Sequence, residues 1–348
     1  MTPKSYAITL LACTASLFLL TVTANVVLDP QYVFRTGIVR QDPNRNARIE
    51  SLRGYKVAAE QTDALLFSSS RGAAFDPEHL RQKMAANHVS TFAVPFGLIT
   101  DHLPALEFVL RDKAARKQKL KTVFLLLDLD FFGKPAWTNN NLNSILPPEL
   151  DGGSSVAFWW RHLTAFQFRS WRDVWLNAKA HGFAPSDQAD LTPAVLQGMP
   201  VRHAGNLISA EDISAPDERD AGRSFPPATH EEFRKPFNSI RPDLDRQLAQ
   251  LNEFVSLCRD NDIRLTVAIS PMTRKNLSEH APEFLEALAI RLSKIVPLYD
   301  FSSNSLIADR PRFWIDFSHF NEEIAGIMLN RAYAKHSASR FGLYRGGM

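Results

Sequence analysis

Short apolar runs and helical repeats alternate along most of this chain. Ala64–Phe67 and Thr122–Leu127 are apolar runs of the size of buried strands, and Thr91–Val94, Arg264–Ile269 and Val296–Tyr299 read as further short strands. Between them, apolar positions recur at helical spacing in Pro77–Asn87, Asp101–Arg116, Pro242–Asp262, Pro282–Lys294 and Glu322–Ala334. Thr122–Leu127 is apolar throughout after its threonine, as in a strand covered on both faces. Strands alternating with helices imply right-handed crossovers and an α/β fold, a parallel sheet of about five strands between two helical layers.

The alternation stops between Phe131 and Ser239, where Pro, Gly, Asn and Asp cluster. A stretch of that length is too long for a plain loop in a compact domain and is read as an insertion, about 131–240. Phe158, Trp159, Trp160, Trp171 and Trp175 within it have partly helical spacing and predict one or two helices lying on the domain. These rings either line an acyl or glycan site, form the insertion's own core, or sit near a membrane surface. The expected organisation is an N-terminal segment 1–30, a polar, basic linker 31–60 with a short helix near Ala47–Tyr55, and an α/β domain 61–338 carrying the insertion.

Ser5 through Leu28 carries no charge, and about 20 apolar residues span a bilayer as a helix. Lys4 precedes the run and Asp29-Pro30 closes it, since proline cannot continue a helix. The run is long for a signal peptide, so an uncleaved signal-anchor is favoured over cleavage at Val22-Thr23-Ala24. The expected location is a single-pass inner-membrane protein with its main domain on the periplasmic side.

Composition narrows the chemistry. At 45% hydrophobic and 22% charged residues the chain can build a large core. A net charge of +3, with no basic block beyond Arg111–Lys121, gives no reason to expect nucleic acid as a partner. Two cysteines, Cys13 and Cys258, far apart, exclude a disulfide framework or a zinc site.

Two blocks carry candidate chemistry. Ser68-Ser69-Ser70-Arg71-Gly72 follows the first strand, at the carboxyl edge where open α/β sheets bind ligands. A serine there suits a nucleophile. Taken alone, the serines also read as a polar turn. Near the C-terminal end, Asp316-Phe317-Ser318-His319-Phe320 places a carboxylate three positions before an imidazole. Such a carboxylate fixes the tautomer of a histidine able to take a proton from a serine hydroxyl. Alone, that pair equally reads as a turn and a helix cap.

Together, the first-strand serine, the parallel sheet and Asp-x-x-His before the final helix resemble the SGNH (GDSL-like) hydrolase superfamily, across roughly Ala64 to Tyr333. Asn25-Val26-Val27-Leu28-Asp29-Pro30, Ser68-Ser69-Ser70-Arg71 and Asp316-Phe317-Ser318-His319-Phe320 resemble its membrane-anchored branch. That resemblance implies a three-layer, flavodoxin-like domain with Ser70 as nucleophile, His319 as general base and Asp316 as its orienter. It implies an oxyanion hole from the amides of Ser70 and Gly97, the latter in Phe92-Ala93-Val94-Pro95-Phe96-Gly97. No metal or organic cofactor is implied. Implied partners are an envelope polysaccharide or an acylated donor, and a membrane-bound O-acyltransferase, as in alginate O-acetylation and teichoic-acid D-alanylation.

The sequence departs from the pattern twice. Ser68 stands where the family has glycine, and Leu127-Asp128-Leu129-Asp130 stands where it has an oxyanion-binding asparagine. An ionised aspartate accepts hydrogen bonds and donates none. Arg71 is expected to pair with Asp128 or Asp130 across the strand ends, or to bind an anionic substrate group. The expectation is therefore an envelope acyl-ester enzyme, with a non-catalytic glycan-binding or scaffold protein as the alternative.

Overall fold

The computed structural model describes residues 2–36, 46–135, 142, 145–181, 241–278, 280, 282–302, 305–308, 310–315, 318–334 and 342–346. The chain divides into two compact units, Met1–Glu50 with Thr138–Ala194 and Ser51–Trp137 with Val195–Met348.

In the first unit, α1 runs Pro3–Leu28, starting at an N-cap threonine, Thr2, and ending at Asp29 in the left-handed region. It is long and apolar enough to cross a membrane. After it the chain turns back on Asp29, whose carboxylate accepts from the Val33 and Arg35 amides. Two further helices, α5 (Ser155–Thr164) and α6 (Phe168–His181), pack on α1. The sequence anticipated these helices as a cover on the α/β domain; they belong instead to the unit of α1.

The second unit is the sheet. Helix α2 (Ala47–Ala58) leads into it, and β1 (Ala64–Ser68), α3 (Pro77–Met84), β2 (Val89–Ala93), α4 (Ile99–Ala115) and β3 (Thr122–Leu127) follow. After the insertion come α7 (Leu244–Asp260), β4 (Arg264–Ile269), α8 (Pro282–Ser293), β5 (Leu298–Asp300), α9 (Glu322–Tyr333) and β6 (Leu343–Arg345). The strand order is β2-β1-β3-β4-β5-β6. The first five are parallel, in the doubly wound order 2-1-3-4-5. β6, which the sequence reading missed, is antiparallel to β5. Three residues, two of them exposed and none buried, are too short a run for periodicity to register.

Alternation along the strands builds both cores. Ala64, Leu66, Phe124, Leu126 and Ala268 meet Leu80 and Met84 of α3 and Ile324, Met328 and Leu329 of α9. On the opposite face Phe67 stacks on Phe92 and meets Phe254 of α7 edge-on at 5.4 Å. Each such buried side chain contributes about 1.5–3 kcal/mol. With every residue of β1 and β3 buried, the strand ends are fixed, and the side chains just beyond them inherit that rigidity.

Candidate active site at the carboxyl edge of the sheet

β1 hands the chain to a 3₁₀ turn, Ser70–Ala74, capped by Ser69, whose Oγ accepts from the Arg71 amide at 3.2 Å. Ser70 is the first residue of that turn and half-buried. Its Oγ lies 2.9 Å from His319 Nε2, across 249 residues of sequence.

His319 is held by its neighbours on both sides. Trp314 and Phe320, both buried, form an antiparallel bridge. The Ile315 amide donates to the His319 carbonyl at 2.8 Å, and the Asn321 amide to the Phe313 carbonyl at 2.9 Å. Asn321 then caps α9, its Oδ1 accepting from the Ile324 amide and its Nδ2 donating to the Arg312 carbonyl. His319 Nδ1 is 3.2 Å from Ser318 Oγ. With its proton on Nδ1, the ring presents the Nε2 lone pair to the Ser70 hydroxyl. Asp316, the expected orienter, lies outside the described residues.

Arg71, next to Ser70, is fully buried and ties four segments together. Its Nη1 and Nη2 donate to both oxygens of Asp130, at 2.8 and 2.7 Å. Nη1 also donates to Ser270 Oγ at 3.0 Å and lies 3.1 Å from Asp128 Oδ1. Nε donates to the Ser318 carbonyl at 2.9 Å, which links the arginine to the histidine loop. Ser270 in turn donates to Asp128 Oδ1 at 2.5 Å. Burial would lower the guanidinium pKa, but the two carboxylates push it upward. Burial would raise the Asp130 carboxyl, but Arg71 beside it holds it below the ordinary carboxylate value. The arginine therefore makes the structural pair, with both aspartates at once.

Both departures noted in the sequence have a local explanation. The aspartates are turned toward Arg71, although Asp128 Oδ2 has no hydrogen-bond partner among the described residues. Ser68 is accommodated by Gly72: a Cβ on Gly72 would stand 1.8 Å from Ser68 Oγ. Arg241 fixes the loop after β3 by donating to the carbonyls of Asp130 and Phe132.

Gly97 is placed differently from its expected role. Its N–H donates to the Val94 carbonyl at 2.7 Å, closing the turn Val94-Pro95-Phe96-Gly97. Phe96 has φ +54°, as the third residue of a type II turn requires. Glycine is needed at 97 because a Cβ there would lie 2.8 Å from the Val94 carbonyl oxygen and 3.0 Å from that of Ser68. In this conformation the Gly97 amide is occupied and does not serve as an oxyanion donor.

Sequence reasoning did not assign Ser270 or Ser318 to the site. The signal for Ser270 was present, since it directly follows β4 at the edge that carries Ser70 and Asp128. The half-exposed ring of Phe96 packs edge-on against Phe131 at 5.3 Å, and Arg71 sits 5.8 Å from the Phe131 centroid, so an apolar rim borders the charged cluster. No protein-family model matches the chain, and no curated protein sequence matches it significantly.

Proposed function

We propose that this chain is a membrane-anchored, serine-dependent acyl-ester enzyme of the cell envelope, of the SGNH type that its sequence blocks resemble. The observation that carries this reading is the 2.9 Å contact between Ser70 Oγ and His319 Nε2 at the carboxyl edge of a parallel sheet. Ser70 Oγ adds to the carbonyl carbon of an acyl ester while its proton passes to His319 Nε2. The ester C–O bond then breaks, the departing alkoxide takes that proton, and the acyl group stays on Ser70. A hydroxyl of an envelope polysaccharide, or water, adds to the acyl carbon and gives its proton to His319. Ser70 leaves and recovers that proton. A membrane-bound O-acyltransferase would supply the acylated donor, the domain working on the periplasmic side of α1. No cofactor enters this sequence of steps.

The Ser70 amide, first in its turn, supplies one oxyanion donor. The Gly97 amide, expected as the second donor, is engaged with the Val94 carbonyl in this conformation, and loss of one such donor corresponds to a rate about 10²–10³ lower. Slow turnover is expected. That occupied amide also favours a second reading, a non-catalytic glycan-binding or scaffold partner using the same edge.

The experiment follows p-nitrophenyl acetate cleavage by the full chain in detergent, beside Ser70→Ala. The expected result is a burst or turnover that the variant loses, with unchanged thermal unfolding. Equal, background-level release from both proteins would move the assignment to the binding reading.

A further inference from the structure

Most of the large apolar side chains exposed on the first unit sit on α1, α5 and α6. Val156, Trp160, Phe166 and Phe168 are 58 to 79% exposed, beyond what a water-facing pair of short helices requires. Their placement along α1 says what covers them. Asn25 of α1 is fully buried, its Nδ2 donating to the carbonyls of Leu163 and Ala165 and its Oδ1 accepting from Trp171 Nε1 at 2.8 Å. This neutral clamp fixes the α5–α6 junction at the level of Asn25. Trp160 reaches from there back along α1 to Phe18, ring centroids 5.9 Å apart. On the other side of α5, Phe158 packs with Val33 and Ile49, and Trp159 meets Phe34, all beyond the end of α1. Helix α5 thus lies across α1, one side toward its apolar body and the other toward the chain that leaves it.

A hydrocarbon layer takes up about 20 helical residues. Counted from Ser5, where the uncharged run begins, it ends beside Asn25. Phe18 then lies about 9 Å inside that boundary, at 1.5 Å per residue. An interfacial helix buries its apolar face about 5–10 Å into the headgroup and acyl region, the same depth. The residue types fit too, since tryptophan favours the interface and Arg161 and Arg169, both exposed, suit anionic headgroups.

We infer that α5 and the start of α6 lie in the interface of the bilayer that α1 spans, with Val156, Trp160, Phe166 and Phe168 among the upper acyl chains. The surface is a lipid-binding one rather than a cover for a soluble core. The inference rests on α1 being inserted, and the test is arranged to separate the two.

The full chain is reconstituted in phosphatidylcholine–phosphatidylglycerol vesicles and labelled with an environment-sensitive fluorophore at one cysteine at a time. Native Cys13 reports on α1. Cys258 is buried, its thiol pushed up to about 12 by burial, and stays unlabelled. Trp160→Cys and Phe168→Cys, each with Cys13→Ser, report on the proposed surface, and Lys179→Cys on the exposed end of α6. Quenching by nitroxide lipid should exceed quenching by aqueous iodide severalfold at 160, 168 and 13, and the order should reverse at 179. Iodide-accessible labels at 160 and 168, with Cys13 still quenched by lipid, would overturn the interfacial placement while leaving the anchor intact. Labels shielded from both quenchers would mean that protein covers the surface, and would overturn it as well. Loss of lipid quenching at Cys13 would overturn the anchor and the interface together.

Discussion

Two of the buried polar clusters among the described residues solve the same problem in opposite ways. At the sheet edge, full charges are buried and cross-linked, Arg71 against Asp128 and Asp130, with Ser270 and the Ser318 carbonyl closing the network. At the end of α1 the cluster is neutral: one amide, Asn25, satisfies two backbone carbonyls and an indole N–H. Charged clusters hold geometry strongly, but removing one member strands its partner. Neutral clusters hold less and cost less to break, which suits a junction beside an apolar span. The difference ties rigidity to the place where chemistry is proposed and leaves adaptability where the unit meets its surroundings.

The charged cluster gives the largest expected effect. Arg71→Met should cost about 3–5 kcal/mol, because two buried carboxylates lose their counter-ion. Chemical denaturation of the full chain in detergent measures it. A loss below about 1 kcal/mol would mean the cluster is no more than a surface ion pair in energy. The same pair sets an acid limb. Asp130 has a folded pKa below its ordinary value, so its contribution is complete above that value, about 3.8, and is lost as pH falls through the folded pKa. Stability should therefore fall below about pH 4 in the parent, with a shallower slope in Asp130→Asn. Parallel slopes would remove Asp130 from the account.

The neutral cluster should respond less. Asn25→Leu should cost about 3 kcal/mol at most, at about 1 kcal/mol net for each of its neutral hydrogen bonds. Trp171 fluorescence should shift as its indole loses an acceptor. If Asn25→Leu proves as damaging as Arg71→Met, the contrast between charged and neutral clusters fails.

The smallest effect concerns the floor of the serine turn. Gly72→Ala forces a Cβ against Ser68 Oγ and should cost about 1–3 kcal/mol as overpacking. Ser68→Gly in the same chain should restore most of that loss, since it removes the atom struck. Additive costs in the double variant would show that backbone conformation, rather than the serine, demands the glycine.

Much of the fold was legible because the sheet is buried on both faces. β3 and β4 lie at the predicted residues; in β3 a nearly unbroken, fully buried apolar run leaves little freedom in where the strand begins and ends. β2 and β5 shifted by about two residues, where pattern alone fixes boundaries poorly. The convergence of Ser70 and His319 was legible as types at strand and helix ends, and the structure brings that pair within hydrogen-bond distance. What pattern did not reveal was how the backbone uses its amides. Gly97 lies near the expected position, yet its N–H closes a turn, a matter of φ at Phe96 that no residue type announces. Likewise the aromatic stretch of α5 and α6 has helical spacing whether its neighbour is the sheet or α1. The long-range hydrogen bonds of Asn25 and the Trp160–Phe18 contact place it with α1.

The antiparallel β6 has a consequence for how this molecule behaves in a crowd. An exposed parallel edge is a template on which another chain can pair and grow. Here that edge, β5, is covered by three residues whose last member, Arg345, is clasped by Asp300 at 2.9 Å and by both oxygens of Glu286. The new outer edge is short and anchored through charge, so a second sheet would gain few hydrogen bonds by docking there. A chain cut before Leu343 would keep its candidate site and lose that guard, and would be expected to self-associate as concentration rises.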